Sequence, residues 1–236
     1  MEYPVMLWAG VLPVVVFLVY VIWKDGKQEP VSELVKAFLL GMTTCVPAIF
    51  IEQGIGMVLW GGGDPAPDDF WGNAVDAFFM ASLTEELLKL LALWLVLRRN
   101  PYFDEHYDGI VYAVFVGLGF AMLENIGYLI GNVEEGWVTV AFMRGIFSVP
   151  GHYAFAVLMG YFYSRYHFGG HRLHHLLLIF FVPFVAHGLY DALLNPMPVI
   201  GHFGLVIMLV LFYLMQKYCQ RKLKEQIGKD KAEGRV

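Results

Sequence analysis

The sequence predicts an all-α fold, a polytopic bundle of about seven transmembrane helices, and three observations support this class. Hydrophobic residues make up 58% of the 236 residues and charged residues only 16%, whereas soluble domains contain about 45–50% apolar and about 25% charged residues. Apolar runs of about 20 residues, the length that crosses a bilayer, recur along the chain. Lysine and arginine are concentrated in alternate connections between these runs.

Each predicted span is an apolar run bounded by charged or turn-forming residues. The seven runs are Pro4–Trp23, Leu34–Trp60, Trp71–Leu97, Gly109–Gly131, Trp137–Ser164, Leu173–Leu194 and Val199–Tyr218. The fifth run exceeds the length that a bilayer requires, so an eighth short or re-entrant element within it is left open. The first run lacks a basic start and a small-residue cleavage site, so we expect a retained helix and not a signal peptide. Gly117 and Gly119 are expected at close helix contacts.

The connections predict the orientation of the chain. Of the 16 lysines and arginines, all except Lys89 and Arg144 lie in or beside one alternating set of connections. By the positive-inside rule this set is cytoplasmic, which places the N-terminus outside and the C-terminus in the cytoplasm. We divide the chain into a transmembrane domain, 1–219, and a short charged cytoplasmic tail, 220–236. The tail is expected to be frayed or to form the end of an amphipathic helix.

Ionisable residues inside four predicted spans indicate a functional site, because such groups are costly in a bilayer. In chain order they are Glu85, Glu86 and Lys89, then Glu124 beside Asn125, then Arg144 and His152, then His187 and Asp191. At about 1.5 Å per residue, one acid or imidazole of each helix lies roughly 18–24 Å from the cytoplasmic end of its span. This common depth predicts one shared site. Arg144 is expected to neutralise carboxylates or to lie near the outer interface.

The spacing of these residues suggests their chemistry. Glu85 and Lys89, like His187 and Asp191, are four residues apart and can pair on one helix face. Glu86 points about 100° away from Glu85, so the two glutamates can have different roles. Buried carboxylates can serve as base and acid, and two histidines with a carboxylate can bind zinc. A purely structural polar contact between helices is the alternative for each group.

Four motifs occur in order on separate spans: Glu85-Glu86-x-x-Lys89, Phe120-x-x-x-Glu124-Asn125, His152, and His187-x-x-x-Asp191. Together they resemble PrsW-type intramembrane proteases, a branch of the superfamily of CAAX prenyl endopeptidases and bacteriocin-processing enzymes. The wider superfamily usually has Glu-Glu-x-x-x-Arg, Phe-x-x-x-His and His-x-x-x-Asn. The departures here match the PrsW branch and argue against prenyl-protein processing. The resemblance covers the chain from about Ser82 to Asn195.

The resemblance implies a membrane-embedded peptidase that uses glutamate-activated water, with zinc as its cofactor. The implied catalytic residues are Glu85, Glu86, Glu124, His152, His187 and Asp191. The metal ligands that we assign are Glu86, Glu124, His152 and His187, with Lys89 and Asn125 in supporting roles. Which glutamate is the base stays open, as does whether the two histidines hold the metal or the oxyanion.

The resemblance also implies a substrate and a location. The substrate is a single-pass, membrane-tethered protein of the anti-sigma-factor type, cleaved outside the membrane, and the enzyme lies in the cytoplasmic membrane of a bacterium or archaeon. Two other classes stay open: a proton- or metal-coupled transporter, which also needs acids and imidazoles at mid-membrane, and a non-enzymatic membrane scaffold. The net charge of −5 gives no basic surface for nucleic acid.

Overall fold

The computed structural model describes residues 2–61, 70–134, 136–170, 172–194 and 201–235, which contain helices and their connections and no β-strand. The helices are α1 Glu2–Lys24, α2 Val31–Trp60, α3 Phe70–Val75, α4 Leu83–Leu97, α5 Asp108–Gly131, α6 Trp137–Met143, α7 Val149–Phe168, α8 Leu173–Leu194 and α9 Gly201–Glu233. Two π-helical segments, Asp76–Ser82 and Arg144–Ser148, join α3 to α4 and α6 to α7. The predicted all-α class is confirmed.

Within the described residues, four helices are long and apolar enough to cross a membrane: Tyr3–Lys24, Val31–Trp60, Asp108–Gly131 and Leu173–Leu194. They coincide with the first, second, fourth and sixth predicted spans. The third and fifth predicted spans each contain a π-helical segment. The fifth span therefore consists of two α-helices, α6 and α7, joined by the segment Arg144–Ser148. The predicted start of the seventh span at Val199, and most of the connections 61–70 and 195–198, lie outside the described residues.

Helix α5 is the centre of the bundle. All of its residues from Asp108 to Met122 are buried, as expected for a helix that is apolar on every face. Helices α1, α2, α4 and α7 all pack against it. A Cβ added to Gly41 of α2 would lie 2.0 Å from the Val116 carbonyl oxygen, and one added to Gly119 would lie 2.1 Å from that of Phe38. The predicted packing role of the α5 glycines is therefore confirmed.

In the first two turns of helix α4 the buried side is polar, and the opposite side of the helix exposes apolar side chains. Glu85, Glu86 and Lys89 are buried, whereas Leu87 and Leu91 are each about half exposed. In water the hydrophobic effect favours the opposite arrangement. A membrane favours this arrangement, because leucine side chains are stable in hydrocarbon whereas charged groups are costly there and are kept in the protein interior.

Helix α9 continues past the predicted seventh span to Glu233, and its last turns are attached to the bundle. Asp230 is buried and accepts hydrogen bonds from the backbone N–H groups of His106 and Tyr107 at 2.7 and 2.9 Å. Gln226 is also buried. Residues 220–233 are thus the packed end of a helix, the second of the two alternatives expected for them. Their assignment to a separate cytoplasmic tail stays a prediction.

The close packing of α2 on α5 predicts that Gly41→Ala is destabilising. The added methyl group overpacks the contact with the Val116 backbone, which should lower the free energy of unfolding by about 1–3 kcal/mol. The thermal midpoint of the detergent-purified protein should then fall by roughly 3–10 °C. Gly54→Ala on the same helix is the matched control, because its Cβ would meet no atom of the described chain within 4 Å. Equal midpoints for the two variants would contradict the packing assignment.

Candidate active site

A cavity of about 1040 Å³ lies among α2, α4, α5, α7, α8 and the two π-helical segments. Apolar side chains such as Ile49, Met80 and Leu123 form part of its wall. The ionisable residues that line it are Glu52, Asp76, Glu85, Glu124, Arg144, His152, His187 and Asp191. Five of the six predicted catalytic residues therefore reach one cavity, and the sixth, Glu86, is fully buried.

Lys89 lies between the two adjacent glutamates. Its Nζ donates to Glu85 Oε2 at 2.8 Å and to Glu86 Oε1 at 3.0 Å, which confirms the predicted pairing of Glu85 with Lys89. The same Nζ is 3.1 Å from His152 Nδ1, and it lies 4.3 Å from the centre of the Phe120 ring. One ammonium group facing two carboxylates leaves this part of the site with an excess of negative charge.

His187 joins α8 to the glutamates of α4. Its Nδ1 is 2.9 Å from Glu86 Oε1, and its Nε2 is 3.1 Å from Asp191 Oδ2, so the predicted pairing of His187 with Asp191 is confirmed. The Phe155 ring stacks on the imidazole with 4.5 Å between ring centroids. A histidine held by a carboxylate at one nitrogen has a fixed ring orientation, which directs its other nitrogen at a defined partner.

His152 belongs to a second group beside the first. Its Nε2 is 2.8 Å from Glu124 Oε2, and that oxygen is 2.7 Å from Arg144 Nη2. The Nε of Arg144 donates to Asn125 Oδ1 at 2.6 Å, and Asn125 Nδ2 donates to the Gly10 carbonyl oxygen at 3.2 Å. Asn125 thus contacts the histidine only through Arg144 and Glu124, and it ties this group to α1.

Both π-helical segments border the cavity directly upstream of site residues. Asp76–Ser82 precedes Glu85 and Glu86, and Arg144–Ser148 precedes His152. A π-helical turn accommodates an extra residue and is frequent at functional sites. The first segment is attached to α8 through Ser82, whose Oγ donates to the Phe184 carbonyl oxygen at 2.6 Å.

Three of the site residues have the arrangement of metal ligands. Glu85, Glu86 and His187 are buried, and each offers one ligand atom within 4.8 Å of the others. Glu86 Oε2 is buried with no hydrogen-bond partner in the described part of the chain. Carboxylate oxygens and imidazole nitrogens bind zinc, so these residues fit a metal ion. Of the four assigned ligands, Glu86 and His187 belong to this group, whereas Glu124 and His152 form the neighbouring pair.

Arg144 is the main contributor that sequence reasoning left outside the core site. It contacts the Glu124 carboxylate, as expected for a residue that neutralises carboxylates. Its guanidinium lies 4.1 Å from the centre of the Tyr128 ring. The signal in the sequence was its position, since Arg144 and Lys89 are the two residues among the lysines and arginines that lie away from the basic connections. Phe155 gave no such signal, because an aromatic residue in an apolar span is unexceptional.

Comparison with known proteins identifies the family of this chain. Residues 29–215 match the family described as PrsW family intramembrane metalloprotease. Proteins named Protease PrsW from Oceanobacillus iheyensis, Geobacillus kaustophilus and Bacillus subtilis are 32%, 36% and 36% identical to the chain. The alignments cover 92%, 93% and 79% of this chain and 95%, 91% and 81% of those proteins. No solved structure shows significant similarity. The chain therefore belongs to the PrsW family of intramembrane metalloproteases.

Proposed function

We propose that this chain hydrolyses a peptide bond of a membrane-tethered protein, using water activated by a glutamate with the help of zinc. The observation that carries the proposal is the convergence of Glu85, Glu86 and His187 within 4.8 Å, beside a cavity that opens among apolar helices. The protease family to which the chain belongs favours this function over a transporter or a scaffold.

We further propose seven membrane crossings, with the N-terminus outside and the C-terminus in the cytoplasm of a bacterium or archaeon. The alternation of basic and non-basic connections supports this orientation. The buried polar side and exposed apolar side of α4 support a crossing by the third span. In this arrangement the site lies in the outer half of the bilayer, which suits cleavage near the outer surface.

Glu86 and His187 are the residues that we assign to hold the zinc ion, with Glu85 adjacent. Asp191, bonded to Nε2 of His187, directs Nδ1 at the glutamates, the pattern by which carboxylates orient zinc-binding histidines. A zinc ion bound there would supply Lewis-acid chemistry, which promotes loss of a proton from water near neutral pH. Lys89 neutralises part of the negative charge and so competes with any cation.

Glu85 is the general base in this proposal, because it lines the cavity whereas Glu86 is fully buried. Its carboxylate takes a proton from water while the water oxygen bonds to the scissile carbonyl carbon. The proton then passes to the peptide nitrogen as the carbon–nitrogen bond breaks. The ammonium of Lys89, 2.8 Å from Glu85 Oε2, holds the base in place.

Of the two roles left open for the histidines, metal binding and stabilisation of the oxyanion, we assign the second to His152. Glu124 and Arg144 fix its ring from the Nε2 side. Its Nδ1 accepts from the Lys89 ammonium at 3.1 Å and lies 4.0 Å from Glu85 Oε2, on the side where the reacting carbonyl has to lie. In this proposal the ring is protonated at Nδ1 when substrate binds, so that Nδ1–H donates to the carbonyl oxygen in place of the contact with Lys89. Charge that develops on the carbonyl oxygen is stabilised most by groups already aimed at it.

The substrate class in this proposal is a single-pass protein of the anti-sigma-factor type. The cavity combines apolar walls, which suit a segment emerging from lipid, with ionisable groups at the point of cleavage. A tethered substrate reaches such a site by lateral movement in the membrane.

Replacement of either adjacent glutamate should abolish proteolysis. Glu85→Gln removes the base and Glu86→Gln a metal ligand, so each should lower the cleavage rate by roughly 10²–10⁴-fold. The measurement is immunoblotting of a co-expressed, doubly tagged single-pass anti-sigma factor. Glu33→Gln, which makes the same change at the start of α2, should cleave normally. Wild-type cleavage by both site variants would rule out this assignment.

Metal content separates the roles of the two glutamates. Purified wild-type protein and Glu85→Gln should contain near-stoichiometric zinc by plasma mass spectrometry, whereas Glu86→Gln and His187→Ala should lose it. Chelation should stop cleavage by the wild type, and added zinc should restore it. A zinc-free wild type whose activity resists chelators would instead indicate a metal-free glutamate mechanism.

A further inference from the structure

A second group of acids, of which two are buried and one is half-buried, lies in the connections at one end of the bundle. Asp25 follows α1, Glu105 lies between α4 and α5, and Asp108 is the first residue of α5. Each offers a carboxylate oxygen, and these oxygens lie within 4.8 Å of one another. The residues of the cavity wall come from other parts of the chain, so this acidic group is separate from the proposed active site.

Glu105 is the least satisfied member of the group. It is only 1% exposed, and neither of its carboxylate oxygens has a hydrogen-bond partner among the residues described. A buried carboxylate without partners is costly, because it loses its hydration and gains nothing in return. The carboxylate oxygens of Asp25 and Asp108 within 4.8 Å are acceptors as well when these acids are ionised. The position therefore calls for a positive group that can bind several carboxylates at once.

The surroundings disfavour ionisation of these acids. Burial raises the pKa of Asp25 to about 7, and the neighbouring carboxylates of Glu29 and Asp230 add to the effect. Burial likewise raises the pKa of Glu105 to about 7. Charged forms of these acids are thus disfavoured in the protein alone.

The nearby lysine does not compensate the negative charge that these three acids carry when they are ionised. Lys27 is about half exposed, and its Nζ is 2.6 Å from Asp104 Oδ2, an acid at the surface. Asp108 Oδ2 accepts hydrogen bonds from the backbone N–H groups of Asp104 and Glu105 at 3.0 and 2.6 Å. These bonds hold the connection in a conformation that keeps Glu105 turned toward the other two carboxylates.

We propose that Asp25, Glu105 and Asp108 bind a hard divalent cation, Mg²⁺ or Ca²⁺, at this end of the bundle. Such ions prefer carboxylate oxygens and complete their coordination with water or backbone carbonyl groups. The absence of histidine and cysteine from the three donors distinguishes the site from a zinc centre. The cation would clamp the α1–α2 connection to the α4–α5 connection, to which Asp230 already attaches α9.

The test is the thermal unfolding of the full-length, detergent-purified protein after removal of divalent ions. Separate additions of Mg²⁺ and Ca²⁺ should each be compared with KCl at equal ionic strength. At saturation the cation that binds more tightly should raise the thermal midpoint by about 5 °C or more. The preferred cation is the one that acts at the lower concentration. A shift of equal size with KCl would reduce the effect to charge screening and overturn the proposal, as would no shift with either divalent ion.

Glu105→Gln and Asp25→Asn should abolish the response to divalent ions. Both variants relieve repulsion between carboxylates, so without divalent ions they should be at least as stable as the wild type. A lower midpoint for Glu105→Gln under those conditions would show that the carboxylate is already stabilised by the protein, against the proposal. Glu33→Gln, which removes a carboxylate charge from the start of α2, should respond like the wild type; loss of its response would indicate a diffuse charge effect.

The His187→Ala variant separates this site from the active site. Its response to Mg²⁺ or Ca²⁺ should equal that of the wild type, because His187 belongs to the proposed active site and lies outside the acidic group. A response that disappears with His187→Ala would assign the cation to the active site and overturn the second site, whatever the outcome for proteolysis.

Discussion

The structure depends above all on the burial of Glu85, Glu86 and Lys89 in one helix that exposes leucine side chains on its other side. Removing one partner from a buried ion pair costs about 3–5 kcal/mol, because the remaining charge is left uncompensated. The neighbouring helices accordingly supply groups that complete the set. Helix α7 brings His152 to the ammonium, and α8 brings His187 to the second glutamate. The polar interior thereby determines which helices must be adjacent.

Much of the fold and site could be predicted from the sequence, because the informative patterns are local. Helical spacing sufficed for the pairs Glu85–Lys89 and His187–Asp191, which the contacts confirm. Equal depth in separate spans sufficed to group the acids and histidines. The glycine contacts of α5 followed from the need of membrane helices for close approach.

What could not be predicted depends on how the helices rotate and pack. Except for the fifth span, whose division was left open, each predicted span was treated as one helix, and nothing in the apolar composition marked the two π-helical segments. Which histidine meets which glutamate is decided by that packing, and the assigned ligands divide into two neighbouring groups for this reason. The acidic group of Asp25, Glu105 and Asp108 combines two connections that are distant in sequence, so no spacing rule could reveal it.

The two π-helical segments have a consequence for how the family can vary. A π-helical turn holds one residue more than an α-helical turn. The helix before such a turn can therefore differ in rotation from the helix after it. Single-residue insertions or deletions in α3 or α6 can be absorbed at these turns without rotating α4 or α7. We therefore expect a change of one residue in length on the upstream side of each turn to leave the reactive groups in their common orientation.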